Sequence, residues 1–77
     1  MAQFTLTQGR RYRATLRLGW LESIAGNDRI AAELAKAGFG EVEVEGAGDT
    51  RIAQGVWTGE STDVKLPEQV AELVEVA

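Results

Sequence analysis

Hydrophobic and polar residues alternate strictly from Arg11 to Trp20. Tyr12, Ala14, Leu16, Leu18 and Trp20 are apolar or aromatic, and Arg11, Arg13, Thr15, Arg17 and Gly19 are polar or bare. Successive side chains of a strand point to opposite faces, so this stretch is a β-strand with one face in a core and arginines on the other. The strand is expected over about Arg10 to Leu21, with Trp20 on the core side against a helix. Phe4 and Leu6 keep the same parity, so residues 3 to 7 read as a short extension broken at Gln8-Gly9.

After a loop over Glu22 to Gly26, the period changes. Ile30, Ala31, Leu34 and Ala37 recur at helical spacing, with Glu33 and Lys36 on the opposite side. Asn27 offers a side-chain oxygen to the unpaired amides of the helix start. Gly38 ends the helix, because glycine tolerates the left-handed conformation such ends adopt, and Phe39 is expected to fold back on Leu34 or Ala35. Alternation returns in Glu41-Val42-Glu43-Val44-Glu45, a second strand. Gly46-Ala47-Gly48-Asp49 is a turn, and Thr50 to Thr58 is a third strand. The pattern there puts Ile52 and Val56 on one side and Arg51, Ala53, Gly55 and Trp57 on the other.

Gly59 to Asp63 reads as a loop, and Val64-Lys65-Leu66 leads into the single proline, Pro67. The last ten residues fit two periods. Val70, Leu73 and Val74 would share a helix face, whereas Val70, Glu72, Val74 and Val76 share a strand parity. A turn at 67 to 69 and a closing strand at 70 to 76 is favoured, because a small sheet needs enough strands to cover one helix. The expected fold is a single α+β domain over residues 1 to 77, with three or four mainly antiparallel strands and one helix on one face. In this split β-α-β arrangement the first strand is central, the third lies beside it and the second is an edge. Nothing in the chain covers the other sheet face.

At 77 residues, such a domain buries about 60% of the surface its unfolded chain exposes. The chain has no cysteine and no histidine. It therefore lacks disulfides, the commonest zinc ligands and the Cys-His and Ser-His-Asp nucleophile systems, and it reads as a non-enzyme with no cofactor or metal. The net charge of −4 conceals +3 on residues 1 to 38 and −7 on residues 39 to 77. That polarity points to charges that pair across the fold or to a partner contacting one end, and it argues against nucleic acid, whose binding favours a basic surface. No apolar run approaches the ~20 residues of a membrane span, and the first residues lack the character of a signal peptide. A cytoplasmic or virion location is expected.

The succession of Leu18-Gly19-Trp20, an alanine-rich helix ending Lys36-Ala37-Gly38-Phe39, a valine strand, and Thr50-Arg51-Ile52-Ala53 through Gly55-Val56-Trp57 resembles a SPOR domain over about residues 11 to 58. The resemblance implies a ferredoxin-like βαββαβ fold whose uncovered sheet binds glycan strands of bacterial peptidoglycan. The tail after Gly59 is shorter than a second helix and strand require.

The expected binding surface is that open face, with Arg11, Arg13 and Arg17 from the first strand and Arg51 and Trp57 from the third. Guanidiniums around an indole, floored by Ala53 and Gly55, suit another protein's surface or a sugar. The plainer reading is a solvated arginine face with Trp57 shielding a turn. Glu41, Glu43 and Glu45 read as charges that keep an edge strand from pairing with other molecules and that balance Arg51 across the hairpin, ahead of a site for a hard cation or an acid/base pair. Gly46 to Asp49 precedes a strand and lacks a Gly-Lys-Ser/Thr ending, so it is a hairpin turn and not a phosphate loop. A protein partner or self-assembly is the leading expectation, as for the small subunits of phage and prophage particles, with peptidoglycan glycan as the alternative.

Overall fold

The computed structural model describes residues 2–19, 26–60 and 63–76. The elements are β1 (Ala2–Thr5), β2 (Arg11–Arg17), α1 (Asn27–Ala37), β3 (Phe39–Glu45), β4 (Thr50–Trp57), β5 (Asp63–Leu66) and β6 (Val70–Val76). Four strands form an antiparallel sheet in the order β3-β4-β2-β6, and β1 pairs with β5 in a separate antiparallel sheet of two strands. The alternating strand of the sequence is therefore central, β4 lies beside it and β3 is an edge, as its pattern implied. The closing strand is present over Val70–Val76, after a turn in which the Val70 amide donates to the Pro67 carbonyl at 3.0 Å.

Two expectations about the amino-terminal half change. The long strand stops at Arg17, although the Leu18 amide still donates to the Asp49 carbonyl at 2.8 Å, in step with the β2–β4 pairing. Its expected continuation through Trp20 and Leu21, with the packing of Trp20, lies outside the described residues. Residues 3 to 7 do not extend β2. Phe4 pairs instead with Val64, in the sheet made with β5. The parity of Phe4 and Leu6 was a true sign of burial, but alternation reports which side of a strand is buried and not which strand lies next to it.

The tyrosine-bearing face of β2 is the core face. Tyr12, Ala14 and Leu16 are buried there together with Phe39, Ala53, Trp57 and Val70. Leu34 of α1, Leu6 just after β1, and Val64 and Leu66 of β5 join the same cluster, so both sheets and the helix share one core. α1 buries Leu34 and half-buries Ile30, Ala31 and Ala37, while Glu33 and Lys36 face water 3.5 Å apart. A helix of 11 residues is marginal in water, and packing of that face supplies most of its stability.

The helix start differs from expectation. Gly26 occupies the cap position with no side-chain cap, and Asn27 lies inside the first turn. Its carboxamide is used elsewhere: Nδ2 donates to the Gly46 carbonyl at 3.1 Å, and Oδ1 accepts from the Arg51 guanidinium at 2.7 Å. A buried cation gains more from an oxygen than a backbone amide that water also reaches. At the other end Gly38 closes the helix with φ 125, as glycine there predicts. A Cβ on Gly38 would lie 2.7 Å from the Trp57 ring, so a bare backbone is required twice over.

Candidate functional site

In antiparallel pairs, directly opposed residues share a face, so the register determines what accompanies the arginines. Along β2 and β4, Arg11 opposes Val56, Arg13 opposes Gln54, Thr15 opposes Ile52 and Arg17 opposes Thr50. Along β6, Arg11 opposes Val76, Arg13 opposes Val74 and Thr15 opposes Glu72. On the far side of β4, Glu43 opposes Gln54 and Glu45 opposes Ile52. The open face thus has cross-strand rows: Val74, Arg13, Gln54 and Glu43 form one, and Glu72, Thr15, Ile52 and Glu45 the next. Arginines run down the centre and glutamates lie toward both edges.

This arrangement corrects the membership of the predicted site. Arg11, Arg13 and Arg17 are together on the open face, but Arg51 and Trp57 are on the opposite one, at 4% and 3% exposure. Leu16 opposes Arg51, Ala14 opposes Ala53 and Tyr12 opposes Gly55, so this side of β4 must join the core once β2 turns its apolar face inward. Small size at Ala53 and Gly55 is what admits the neighbours: a Cβ on Gly55 would stand 3.3 Å from both the Phe39 Cβ and a Val42 methyl.

Arg51 and Trp57 are structural residues. The Arg51 Nε donates to the Gly48 carbonyl at 3.0 Å and Nη1 to Asn27, so the guanidinium ties the β3–β4 turn to the helix start. Trp57 meets Phe39 edge to face, with ring centroids 5.1 Å apart, and packs between the backbones of Gly38 and Gly59. Thr58 donates both its amide and its hydroxyl to the Gly38 carbonyl, at 2.9 and 2.7 Å, which satisfies the end of α1.

The residues that sequence reasoning missed are Ile52, Gln54, Val56, Val74 and Val76, half-buried or exposed beside the arginines. Val74 is a large hydrophobic residue at 37% exposure. The signal was present in the strand parity of Ile52 and Val56, which set them opposite Arg51 and Trp57. Choosing which set faced outward needed the β2–β4 register.

The glutamates of β3 do not form one file. Between Gly40 and Glu43 the register shifts, and Glu41 takes φ 51 in a bulge, so only Glu43 and Glu45 stay in step on the open face. Glu41 lies 3.8 Å from Arg11, and Glu75 lies 3.9 Å from Arg10. Arg11 thus offsets part of the charge of the acidic strand. Both pairs are solvent-exposed and contribute little stability. Arg13 and Arg17 form no ion pair among the described residues.

Among the described residues no group of three or more His, Cys, Asp or Glu is placed to hold a metal ion. A cleft beside Leu34, Phe39, Leu66 and Leu73 has room for about one water molecule. No described helix is long and apolar enough to cross a membrane. The chain matches no protein-family model, no curated protein and no solved structure.

Proposed function

We propose that this protein is a non-catalytic interaction module that docks through the open face of its four-stranded sheet onto another protein surface. One observation carries the reading: the central strand of that face presents Arg13 and Arg17, exposed and without an ion pair among the described residues, beside Ile52, Val56 and Val74, and no described segment covers them. Arginines alone would suit water. Arginines beside aliphatic groups on a flat sheet suit a partner surface that is part apolar and part acidic.

The strand order supports reading β2, α1, β3, β4 and β6 as a split β-α-β, ferredoxin-like unit in which β5, paired with β1, stands where a second helix would be. The glycan-binding reading that accompanies the SPOR resemblance keeps its open sheet but loses the indole, since Trp57 faces the core. A protein partner is therefore preferred.

Immobilised wild-type protein and its Arg13→Glu and Arg17→Glu variants are to be compared as bait for cell proteins and for purified peptidoglycan sacculi, with circular dichroism confirming that all three fold. The reading expects a protein retained by the wild type and released by both charge reversals. Retention that ignores both substitutions, or retention of sacculi alone, overturns it.

A further inference from the structure

The open face carries the means to pair with a copy of itself. Arg13, Gln54 and Glu43 lie in one row, with Gln54 opposite both of the others, so one strand separates the arginine from the glutamate. Adjacent strands are ~4.8 Å apart, which puts Arg13 and Glu43 about 10 Å from each other on the same surface. They make no ion pair among the described residues.

Resting on the open-face reading above, we infer that the partner is a second copy of this chain, docked face to face about a two-fold axis running along β4. Such an axis lays β4 on the β4 of its mate, keeps every row at its own height, and sets β2 over the mate's β3. Arg13 of each copy then lies above Glu43 of the other, giving two equivalent ion pairs. Between them Ile52, Gln54 and Val56 each meet their own counterparts, an apolar and amide centre with a charged border. Thr15 falls over Glu45 of the mate. This is the self-complementarity that a two-fold interface demands.

Charge excludes the neighbouring placements. An axis along β2 stacks Arg11, Arg13 and Arg17 on themselves. An axis between β2 and β4 sets β6 over β3, and since Glu72 and Glu45 share a row, it brings carboxylate onto carboxylate. Of these three axes, the one along β4 alone brings unlike charges together in both directions. Sheets packed face to face stay within about 30° of alignment, so the rows hold their partners near the centre.

The surface is three strands wide and about six residues long, roughly 300 Å² in projection on each copy. That is at the small end of specific interfaces, so the association is weak and concentration-dependent, and the ion pairs set its register more than its strength.

Sedimentation equilibrium over a wide concentration range tests the inference, using the wild type, Arg13→Glu, Glu43→Arg, the double variant R13E/E43R, and an equal mixture of the two single variants. The wild type is expected to dimerise, each single variant to associate at least tenfold more weakly, and both the double variant and the mixture to recover dimers, since opposite charges again face each other. At concentrations too low for association all five samples should melt alike, because both side chains are exposed. A monomeric wild type, a dimer indifferent to either single substitution, or a failure of the mixture to associate overturns the pairing. If the wild type is monomeric yet retains a protein that Arg17→Glu releases, the docking face stands and its occupant is not a second copy. If it neither self-associates nor retains a protein, both fall.

Discussion

Asn27 Oδ1 accepts a hydrogen bond from Arg51 Nη1 at 2.7 Å, and the two residues join the first turn of α1 to the start of β4. The same carboxamide holds the Gly46 carbonyl through Nδ2, so one side chain spans the helix start and the β3–β4 turn. Removing it withdraws an acceptor from a buried cation. Asn27→Ala is expected to cost about 1–3 kcal/mol in urea unfolding. Asn27→Asp should cost less, because a carboxylate keeps the bond to Arg51 and sits well at a helix amino terminus. Equal losses in the two variants would show that the Arg51 bond carries no stability.

Gly38 is constrained by its φ of 125 and by the Trp57 ring that a Cβ would meet at 2.7 Å. Gly38→Ala must therefore strain the backbone and displace the indole, at about 2–5 kcal/mol in all. Gly26→Ala, with φ −74 and open space around it, is expected to cost about 1 kcal/mol or less. Thermal melts of the two variants should separate clearly.

Leu6 and Leu66 are the most deeply buried side chains, and both belong to the segments that carry the two-stranded sheet. If that sheet is part of one folding unit, Leu66→Ala should lose about 2–5 kcal/mol from the whole domain. Circular dichroism and tryptophan fluorescence should then report a single, coincident transition at lower denaturant concentration. Two separated transitions would mean that β1 and β5 melt on their own.

Burial of Trp57 is testable by light. With Trp20 replaced by Phe, the remaining indole should emit at short wavelength and resist quenching by iodide, as expected for a ring at 3% exposure. Ready quenching would return Trp57 to the surface. By contrast Arg13→Ala and Arg17→Ala, on the open face, should each change unfolding free energy by no more than about 0.5 kcal/mol.

Side-chain pattern alone carried much of this architecture. Strict alternation through Tyr12, Ala14, Leu16 and Leu18 identified the central strand and its buried side. The spacing of Ile30, Leu34 and Ala37 identified the helix, and Gly38 its end. These are properties of a residue and its near neighbours, which local geometry decides wherever the rest of the chain lies. The residues of the candidate site were legible to the same extent: Arg11, Arg13 and Arg17 follow from the alternation of β2.

What covers or accompanies those arginines was a tertiary matter. In β4, Ile52 and Val56 compete with Arg51 and Trp57 for the core, and hydrophobicity favours neither set clearly. Pairing with β2 decided it, because opposite residues share a face and one step of register exchanges the two. Asn27 likewise left its capping role for a buried arginine 24 positions away. Phe4 paired with a strand near the other end of the chain, and Leu6 joined the shared core. Sequence by itself determined the periods, and hence the elements and their apolar sides. Register and long-range hydrogen bonds depend on residues far apart in the chain, so only the folded molecule decided which side chains meet and which face stays open.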